Sequence, residues 1–162
     1  MSADVTILLA NAANLDASGQ VNTLGLGWSI IGPSPLPGFV VIVKVMAPEE
    51  QREERLNVRL QLLDSAGNVV ASEEQDAMEP LDVPLQVETV SSAAVPAGLK
   101  AGAFFILELG PGLLLEPGIY EWVVSIDGET QPHWRQRFYV RAKPDEFPSR
   151  GFPKLPAPGP NP

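Results

Sequence analysis

A glycine-rich stretch at residues 23–38, TLGLGWSIIGPSPLPG, is the part of the chain that could bind phosphate. A dinucleotide loop needs the spacing G-x-G-x-x-G at the start of a helix, so that backbone N–H groups point at the phosphates. Here the third glycine, Gly32, comes two positions late, and the prolines after it cannot open a long helix. No Lys-Ser or Lys-Thr pair follows, as a P-loop requires. The stretch therefore predicts no nucleotide site.

We expect this stretch to form a strand at Gln20–Ile31, followed by a proline-rich crossover. Gly25 and Gly27 would lie on one face of that strand, where close backbone approach leaves no room for a side chain. The opposite face would carry the large apolar residues, which are Leu24, Leu26, Trp28 and Ile30.

Residues for nucleophilic or acid–base chemistry are few. The chain has no cysteine, which excludes thiol catalysis and thiolate metal sites. His133 is the single histidine, and no G-x-S-x-G or similar segment offers it a serine, so we expect a turn histidine. Glu108 interrupts an apolar strand, and we expect it to face water. The sequence predicts no catalytic residue and no cofactor, and an enzyme ranks last among the function classes.

Acidic residues cluster at 49–54 and 73–79. Calcium takes about six to eight oxygens, usually from carboxylates spaced around a glycine turn. Neither run has that spacing. The loop DSAGN at 64–68 offers only Asp64 and Asn68, and NAANLDAS at 11–18 offers only Asn11, Asn14 and Asp16. We interpret these segments as solvated loops and predict no metal site, with a weak surface calcium site as the alternative.

A basic stripe follows the last strand, where Arg135, Arg137 and Arg141 point outward. Glu121 is expected on the neighbouring strand, where it would form cross-strand ion pairs of small energetic value. In that interpretation the arginines keep a sheet face solvated. The alternative is that they dock onto an acidic partner.

The composition changes at Lys143, and the last twenty residues contain seven prolines. Such a segment cannot form a strand ladder and prefers the polyproline II conformation, so it loses little entropy when it binds. Its spacing R-x-x-P-x-x-P is that of a polyproline ligand. The candidate partner-binding residues in this arm are Phe147, Arg150, Phe152, Pro153, Leu155 and Pro156.

The net charge of −9 limits the partners that the protein is expected to have. The last twenty residues carry a net charge of +1, which leaves −10 on the rest of the chain. A body with this much negative charge repels phosphate backbones and anionic lipid. We therefore expect neither nucleic acid nor membrane as a partner. The N-terminus lacks the basic residue and long apolar run of a signal peptide. We expect a cytoplasmic protein, or a virion-associated one if a phage encodes it.

The elements that must position these residues are strands, because apolar and polar residues alternate with period two. The alternation is clear at 55–64, 118–127 and 133–141, and DASGQ, DSAGN and DGET have the composition of hairpin loops. Only PEEQREERL at 48–56 suggests a helix, with an acidic loop as the alternative. Further strands are expected at Asp4–Ala10, Phe39–Met46, Val69–Glu73, Val83–Val90 and Ala103–Leu109.

About nine strands with short turns predict an all-β fold, an immunoglobulin-like two-sheet antiparallel sandwich. It would occupy residues 1–142, and the proline-rich extended tail residues 143–162. The Pro-Gly pair before Tyr120 is similar to the tyrosine corner of such sandwiches, in which the phenol binds upstream backbone. Structural roles are assigned to Gly25, Gly27, Trp28, Tyr120 and Trp122.

Three blocks of sequence resemble a known family. They are Ala12–Ala13, the spaced residues from Gly19 to Trp28, and PGIYEWVVSIDGE at 117–129. The family is a domain of unknown function found in small proteins of actinobacteria, other bacteria and some phages. The similarity covers most of residues 3–141 and excludes the proline-rich arm. It implies a β-sandwich fold and no catalytic residue.

These observations predict a non-catalytic structural or adaptor module. It would bind protein partners, or assemble with itself, through the arm and a sheet edge, for example as an accessory component of a phage particle. The alternative is a module that binds a small ligand or carbohydrate through loop aromatics such as Trp134.

Overall fold

The structure is a computed structural model, and it describes residues 3–48, 55–74, 77–88, 96 and 98–144. Within these residues the secondary structure consists of strands, and no helix occurs. The strands are β1 (Asp4–Ala10), β2 (Ala12–Leu15), β3 (Val21–Leu24), β4 (Ile30–Ile31), β5 (Phe39–Ala47), β6 (Arg55–Leu63), β7 (Ala71–Glu74), β8 (Ala77–Pro80), β9 (Asp82–Glu88), β10 (Ala101–Leu109), β11 (Gly118–Ile126) and β12 (Arg135–Val140).

Two main sheets contain most of the strands. The three-stranded sheet has the order β1-β5-β10, and the five-stranded sheet has the order β4-β12-β11-β6-β9. All neighbours are antiparallel except β4, which runs parallel to β12. Two hairpins, β2-β3 and β7-β8, form small sheets of their own. The expected all-β architecture is confirmed.

One hydrophobic core lies between the inner faces of the two main sheets. The period-two strands supply it as expected, because every second side chain of a strand points to the same face. Trp122 on β11 and Leu60 on β6 are 0% exposed, and so is Val43 on β5. Burial of such residues contributes roughly 1.5–3 kcal/mol per large side chain to folding. The core therefore fixes which face of each sheet points outward.

A smaller second core explains why β5 lacks alternation. Val40 and Ile42 point away from the main core, yet both are buried. The β2-β3 hairpin covers them, with Ala13 and Val21 packed against this second cluster. A strand that is buried on both faces reads as a continuous apolar run.

The predicted strand at Gln20–Ile31 is wrong, because Gly25 and Gly27 break it. Their φ angles of 65° and 87° lie in the left-handed region, which ends β3 and starts a turn. The Gly27 N–H donates to the carbonyl of Leu9 at 2.7 Å and so ties the turn to β1. Leu24 and Leu26 are 70% and 51% exposed, not one face of a strand.

Other differences concern strand count and one candidate helix. The described residues contain twelve strands instead of about nine, because β2, β4 and β8 are short strands without clear alternation. Arg55 and Leu56, at the end of the candidate helix, belong to β6. Residues 49–54 lie outside the described residues.

The three predicted hairpin loops are confirmed. Asp16 closes the β2-β3 loop, where its Oδ1 accepts hydrogen bonds from the N–H groups of Ser18 and Gln20. Asp64 does the same after β6, accepting from Ala66 and Asn68. Asp127 and Gly128 both have positive φ, as a two-residue type I′ turn requires.

Candidate interaction surface

The predicted basic residues lie at one corner of the five-stranded sheet, on the face that points away from the core. Glu121 on β11 is opposite Arg137 on β12, as expected. Its carboxylate accepts from Arg137 Nε at 2.9 Å and from Arg135 Nη1 at 3.0 Å. One carboxylate therefore serves two guanidinium groups, which leaves a net positive charge here. Arg137 is the more accessible arginine, with 76% of its side chain exposed.

Arg141 follows β12 and lies at the end of the same sheet. Its Nη2 donates to the backbone carbonyl of Gly32, at 2.7 Å, in the crossover between β4 and β5. This hydrogen bond satisfies a loop carbonyl and leaves the guanidinium charge without a carboxylate among the bonds described. The structure thus places all three arginines along β12, with Arg135 and Arg141 at opposite ends of the strand, and only Arg135 and Arg137 share Glu121.

A row of exposed apolar side chains lies between these charges. Ile30, Tyr139 and Ile119 are direct register partners across β4, β12 and β11, and we call them the apolar row. Their exposed fractions are 57%, 43% and 55%. On one side the next rung is the pair Arg137 and Glu121, and on the other side the chain continues to Arg141. An apolar centre with a polar rim that includes tyrosine and arginine is typical of protein interfaces.

Sequence reasoning identified the arginines and overlooked the apolar row. The available signal was two large apolar residues, Ile119 and Tyr139, at outward-facing positions of period-two strands. Ile30 could not have been found this way, because the predicted strand that contained it does not exist as such. Ile30 lies beside Tyr139 because β4 pairs in parallel with β12, and this pairing joins residues that are far apart in the chain.

The structural aromatic residues form a cluster under this corner. Trp28 meets Phe39 and Phe138 edge to face, at centroid distances of 5.3 and 5.9 Å. Tyr120 stacks on Phe138 at 5.8 Å. Such arrangements add about 0.5–1.5 kcal/mol per pair beyond the area that they bury. The cluster therefore holds β11 and β12 rigidly beneath the exposed row.

The hydroxyl group of Tyr120 donates a hydrogen bond to the carbonyl of Glu116 at 2.9 Å, four residues upstream. This is the bond that the Pro-Gly spacing predicts. Burial, together with the negative charges of Glu116 and Asp64, raises the pKa of the phenol above its usual value. The bond fixes the connection that enters β11.

Substituting Tyr120→Phe removes this hydrogen bond and leaves the stacking on Phe138 in place. We expect the free energy of unfolding to fall by about 0.5–1.5 kcal/mol, with the fold unchanged. Urea denaturation followed by circular dichroism measures the difference. Tyr139→Phe, on the adjacent strand and exposed, is the matched control and should change stability by less than about 0.5 kcal/mol.

Trp134, proposed as a ligand-stacking aromatic, is wrong for that role. The side chain is 0% exposed and belongs to the main core. A carbohydrate cannot stack on a ring that has no accessible face. His133 beside it is exposed, with its ring centroid 6.1 Å from that of Trp134, and lies in the turn where it was expected.

The carboxylates named as metal or acid–base candidates do not converge. Asp16 and Asp64 are occupied by loop N–H groups, and hydrogen bonds, from Ser18 and from Asn68 respectively, hold both pKa values below the usual range. Glu108 is exposed, as expected. Within the described residues, no three histidine or acidic side chains lie close enough to hold a metal ion. The acidic run at 49–54 lies outside them, as does part of the run at 73–79.

The candidate residues of the arm, from Phe147 to Pro156, also lie outside the described residues. The described chain ends at Pro144, beside a surface depression of about 480 Å³ that Lys143 and Arg141 line together with Pro33, Pro35 and Leu114. None of the residues that the structure describes lies in a helix long and apolar enough to cross a lipid bilayer.

Comparison with known proteins gives one match. A family of unknown function, DUF6941, matches residues 5–141, which contain every described strand except the first residue of β1. No curated protein and no solved structure matches the chain. The matched region ends at Arg141 and therefore includes the aromatic cluster, the apolar row and the three arginines. Because the family model covers most of the sequence, as the resemblance in three sequence blocks predicts, the chain belongs to DUF6941, a family of unknown function.

Proposed function

We propose that this protein is a non-catalytic structural or adaptor module that acts by binding other proteins. The observation that carries the proposal is the apolar row, Ile30, Tyr139 and Ile119, which is exposed at the centre of a charged rim. Exposed apolar patches with polar borders mark interaction sites more often than scattered single residues do. A larger assembly such as a phage particle is the setting that we favour, with an immunoglobulin-like sandwich as the scaffold.

The charges favour a partner with acidic groups opposite the rim. Arg135 and Arg137 share the single carboxylate of Glu121, and Arg141 binds a carbonyl group, so the rim is positive on a protein of net charge −9. A local charge that is opposite to the net charge fixes the orientation of an approaching partner. The proline-rich arm starts beside this corner, since Lys143 and Arg141 line the same depression. We propose that arm and row bind the same partner.

Affinity purification from the cells that produce the protein tests this proposal. The tagged full-length chain should recover a specific protein partner, identified by mass spectrometry. Ile119→Glu should reduce that recovery at least about tenfold, because it places a charge in the centre of the interface. Gln86→Glu on β9 is the matched control, since it adds the same charge to an exposed position of the same sheet.

A second comparison uses the chain that ends at residue 144. If arm and row bind the same partner, removing residues 145–162 should also reduce recovery. If both Ile119→Glu and the truncated chain recover as much partner protein as the wild type does, the proposed function is contradicted. The free energy of unfolding of each variant, measured in urea, separates lost binding from lost folding.

A further inference from the structure

Among the residues that the structure describes, strand β10 is a long sheet edge without the usual protection. It runs for nine residues, pairs with β5 on one side, and has no strand on its other side among the described residues. Its sequence, AGAFFILEL, contains no proline, no lysine and one charge, Glu108. Natural proteins protect edge strands with prolines, charges, bulges or covering loops, because exposed backbone groups recruit further strands.

The other edges of the main sheets are protected, since β4 is only two residues long and both β9 and β1 carry blocking groups. On β9, Pro84 lacks an N–H group, and ion pairs from Arg55 to Glu88 and from Arg59 to Asp82 cover both ends of the strand. On β1, the loop N–H of Gly27 already occupies the carbonyl of Leu9. Within the described part of the chain, the contrast singles out β10 as the long edge that is available for pairing.

The side chains of β10 are self-complementary in size. Its first residues are small, Ala101, Gly102 and Ala103, whereas its last residues are large. In an antiparallel pair of two β10 strands with a two-fold axis at Phe105, each small residue lies opposite a large one. Ala103 meets Leu107 of the second copy, Gly102 meets Glu108, and Ala101 meets Leu109. No like charges are opposed, because the single carboxylate always faces a glycine.

Incomplete burial on the inner face agrees with this pairing. Phe105, Leu107 and Leu109 pack against the main core but remain only half-buried. Ile7 and Leu9 occupy corresponding inner positions at the opposite edge of the same sheet, and they are 5% and 1% exposed. The side chains of a second β10 would cover the apolar surface that is left open.

We propose that β10 pairs antiparallel with β10 of a second copy of this chain, which joins two three-stranded sheets into one sheet with the order β1-β5-β10-β10-β5-β1. The dimer deepens the proposed function, since it names self-assembly as one of the contacts that a structural module makes. In this dimer the apolar row of each copy lies on the five-stranded sheet, whereas β10 belongs to the three-stranded sheet. Partner binding and dimerisation can therefore be measured independently. A purified chain is sufficient to test it.

Cysteine cross-linking tests the pairing and its register, because the chain has no cysteine of its own. Phe105→Cys places two introduced thiols opposite each other, about 4.5–5.5 Å apart between Cα atoms, which a disulfide spans. We expect a disulfide-linked dimer of this variant under mild oxidation. Phe104→Cys mixed with Ile106→Cys should also cross-link, since these positions are opposed. Either of the two alone should not, because its copies lie on a diagonal about 7–8 Å apart.

A charge substitution tests the strength of the dimer. Phe104→Glu keeps a partner for Lys44 within the chain but places a carboxylate opposite Ile106 of the second copy, at two equivalent positions. We expect the dissociation constant of the dimer, from sedimentation velocity of the full chain, to rise at least about tenfold. Thr6→Glu is the matched control, because Thr6 is the register partner of Lys44 on β1, the opposite edge of the same sheet.

Three outcomes would overturn the proposal. The first is a wild-type chain that stays monomeric at every concentration measured. The second is cross-linking of Phe104→Cys alone as efficient as that of the mixture, which would mean random collision or another register. The third is an equal effect of Thr6→Glu and Phe104→Glu on a folded dimer. Circular dichroism of each variant establishes that it is folded, so that none of these results reflects unfolding.

Discussion

Substituting Trp122→Ala is expected to lower the free energy of unfolding by about 3–5 kcal/mol. Trp122 lies at the centre of β11, is 0% exposed, and belongs to the core between the two main sheets. Its strand pairs with β6 on one side and β12 on the other, so neither neighbour can move into the space without breaking a ladder. The cavity therefore remains largely open, and the loss includes both burial and packing.

Natural domains have a total stability of about 5–15 kcal/mol, so this variant is expected at the edge of folding. Urea denaturation followed by circular dichroism measures the loss. Ser125→Ala, on the outer face of the same strand, is the control and should change stability by less than about 0.5 kcal/mol. Trp122→Phe should lose far less than alanine, because the ring fills most of the site and the buried indole N–H has no partner among the described residues. A loss below about 1 kcal/mol for alanine would show that β11 is not at the core.

The strands with one buried face are the part of the fold that the sequence predicts. In β6 and β11 the alternation assigns every side chain to a face, because successive side chains point in opposite directions. Alternation does not say which strands are neighbours. The order β4-β12-β11-β6-β9 depends on contacts between residues far apart in the chain, and no local pattern records them.

Residues 20–31 show why the remaining elements could not be predicted. Leu24, Leu26, Trp28 and Ile30 alternate with small or polar residues and so have the pattern of a strand. The backbone conformation of Gly25 and Gly27 overrides that pattern. It depends on contacts with Asn11 and Leu9, which lie outside this stretch, and the hydrogen bond from Gly27 to Leu9 on β1 holds the turn.

The same limit applies to the candidate surface. Arg135, Arg137 and their partner Glu121 were predictable, because both strands alternate and form a hairpin. The alternation says only that Trp134 points inward, as it does, so a ligand-stacking role for it disregards its own pattern. The apolar row required knowledge that β4 lies beside β12, since Ile30 joins Tyr139 and Ile119 only through that pairing.

Gly25→Ala is expected to lower the free energy of unfolding by about 2–4 kcal/mol, the second large effect in the protein. Two separate causes contribute. The φ angle of Gly25 is 65°, a conformation that costs a residue with a Cβ atom about 1–2 kcal/mol. A Cβ atom would also lie 2.3 Å from Nδ2 and 2.7 Å from Cγ of Asn11, so the asparagine side chain must move. The backbone N–H of Asn11 donates to the carbonyl of Leu24, so the main chain at Asn11 cannot move far to relieve the overlap.

Gly27→Ala separates these two causes. Its φ angle of 87° imposes a similar backbone cost, but nothing lies within 4 Å of the added Cβ atom. We therefore expect Gly27→Ala to lose only about 1–2 kcal/mol. The difference between the two variants estimates the cost of the contact with Asn11. Adding Asn11→Ala to Gly25→Ala should recover most of that difference, because it removes the overlapping atoms, whereas adding it to Gly27→Ala should recover nothing. Equal losses for Gly25→Ala and Gly27→Ala in urea denaturation, with no recovery in the double variant, would mean that backbone conformation alone requires glycine in this turn.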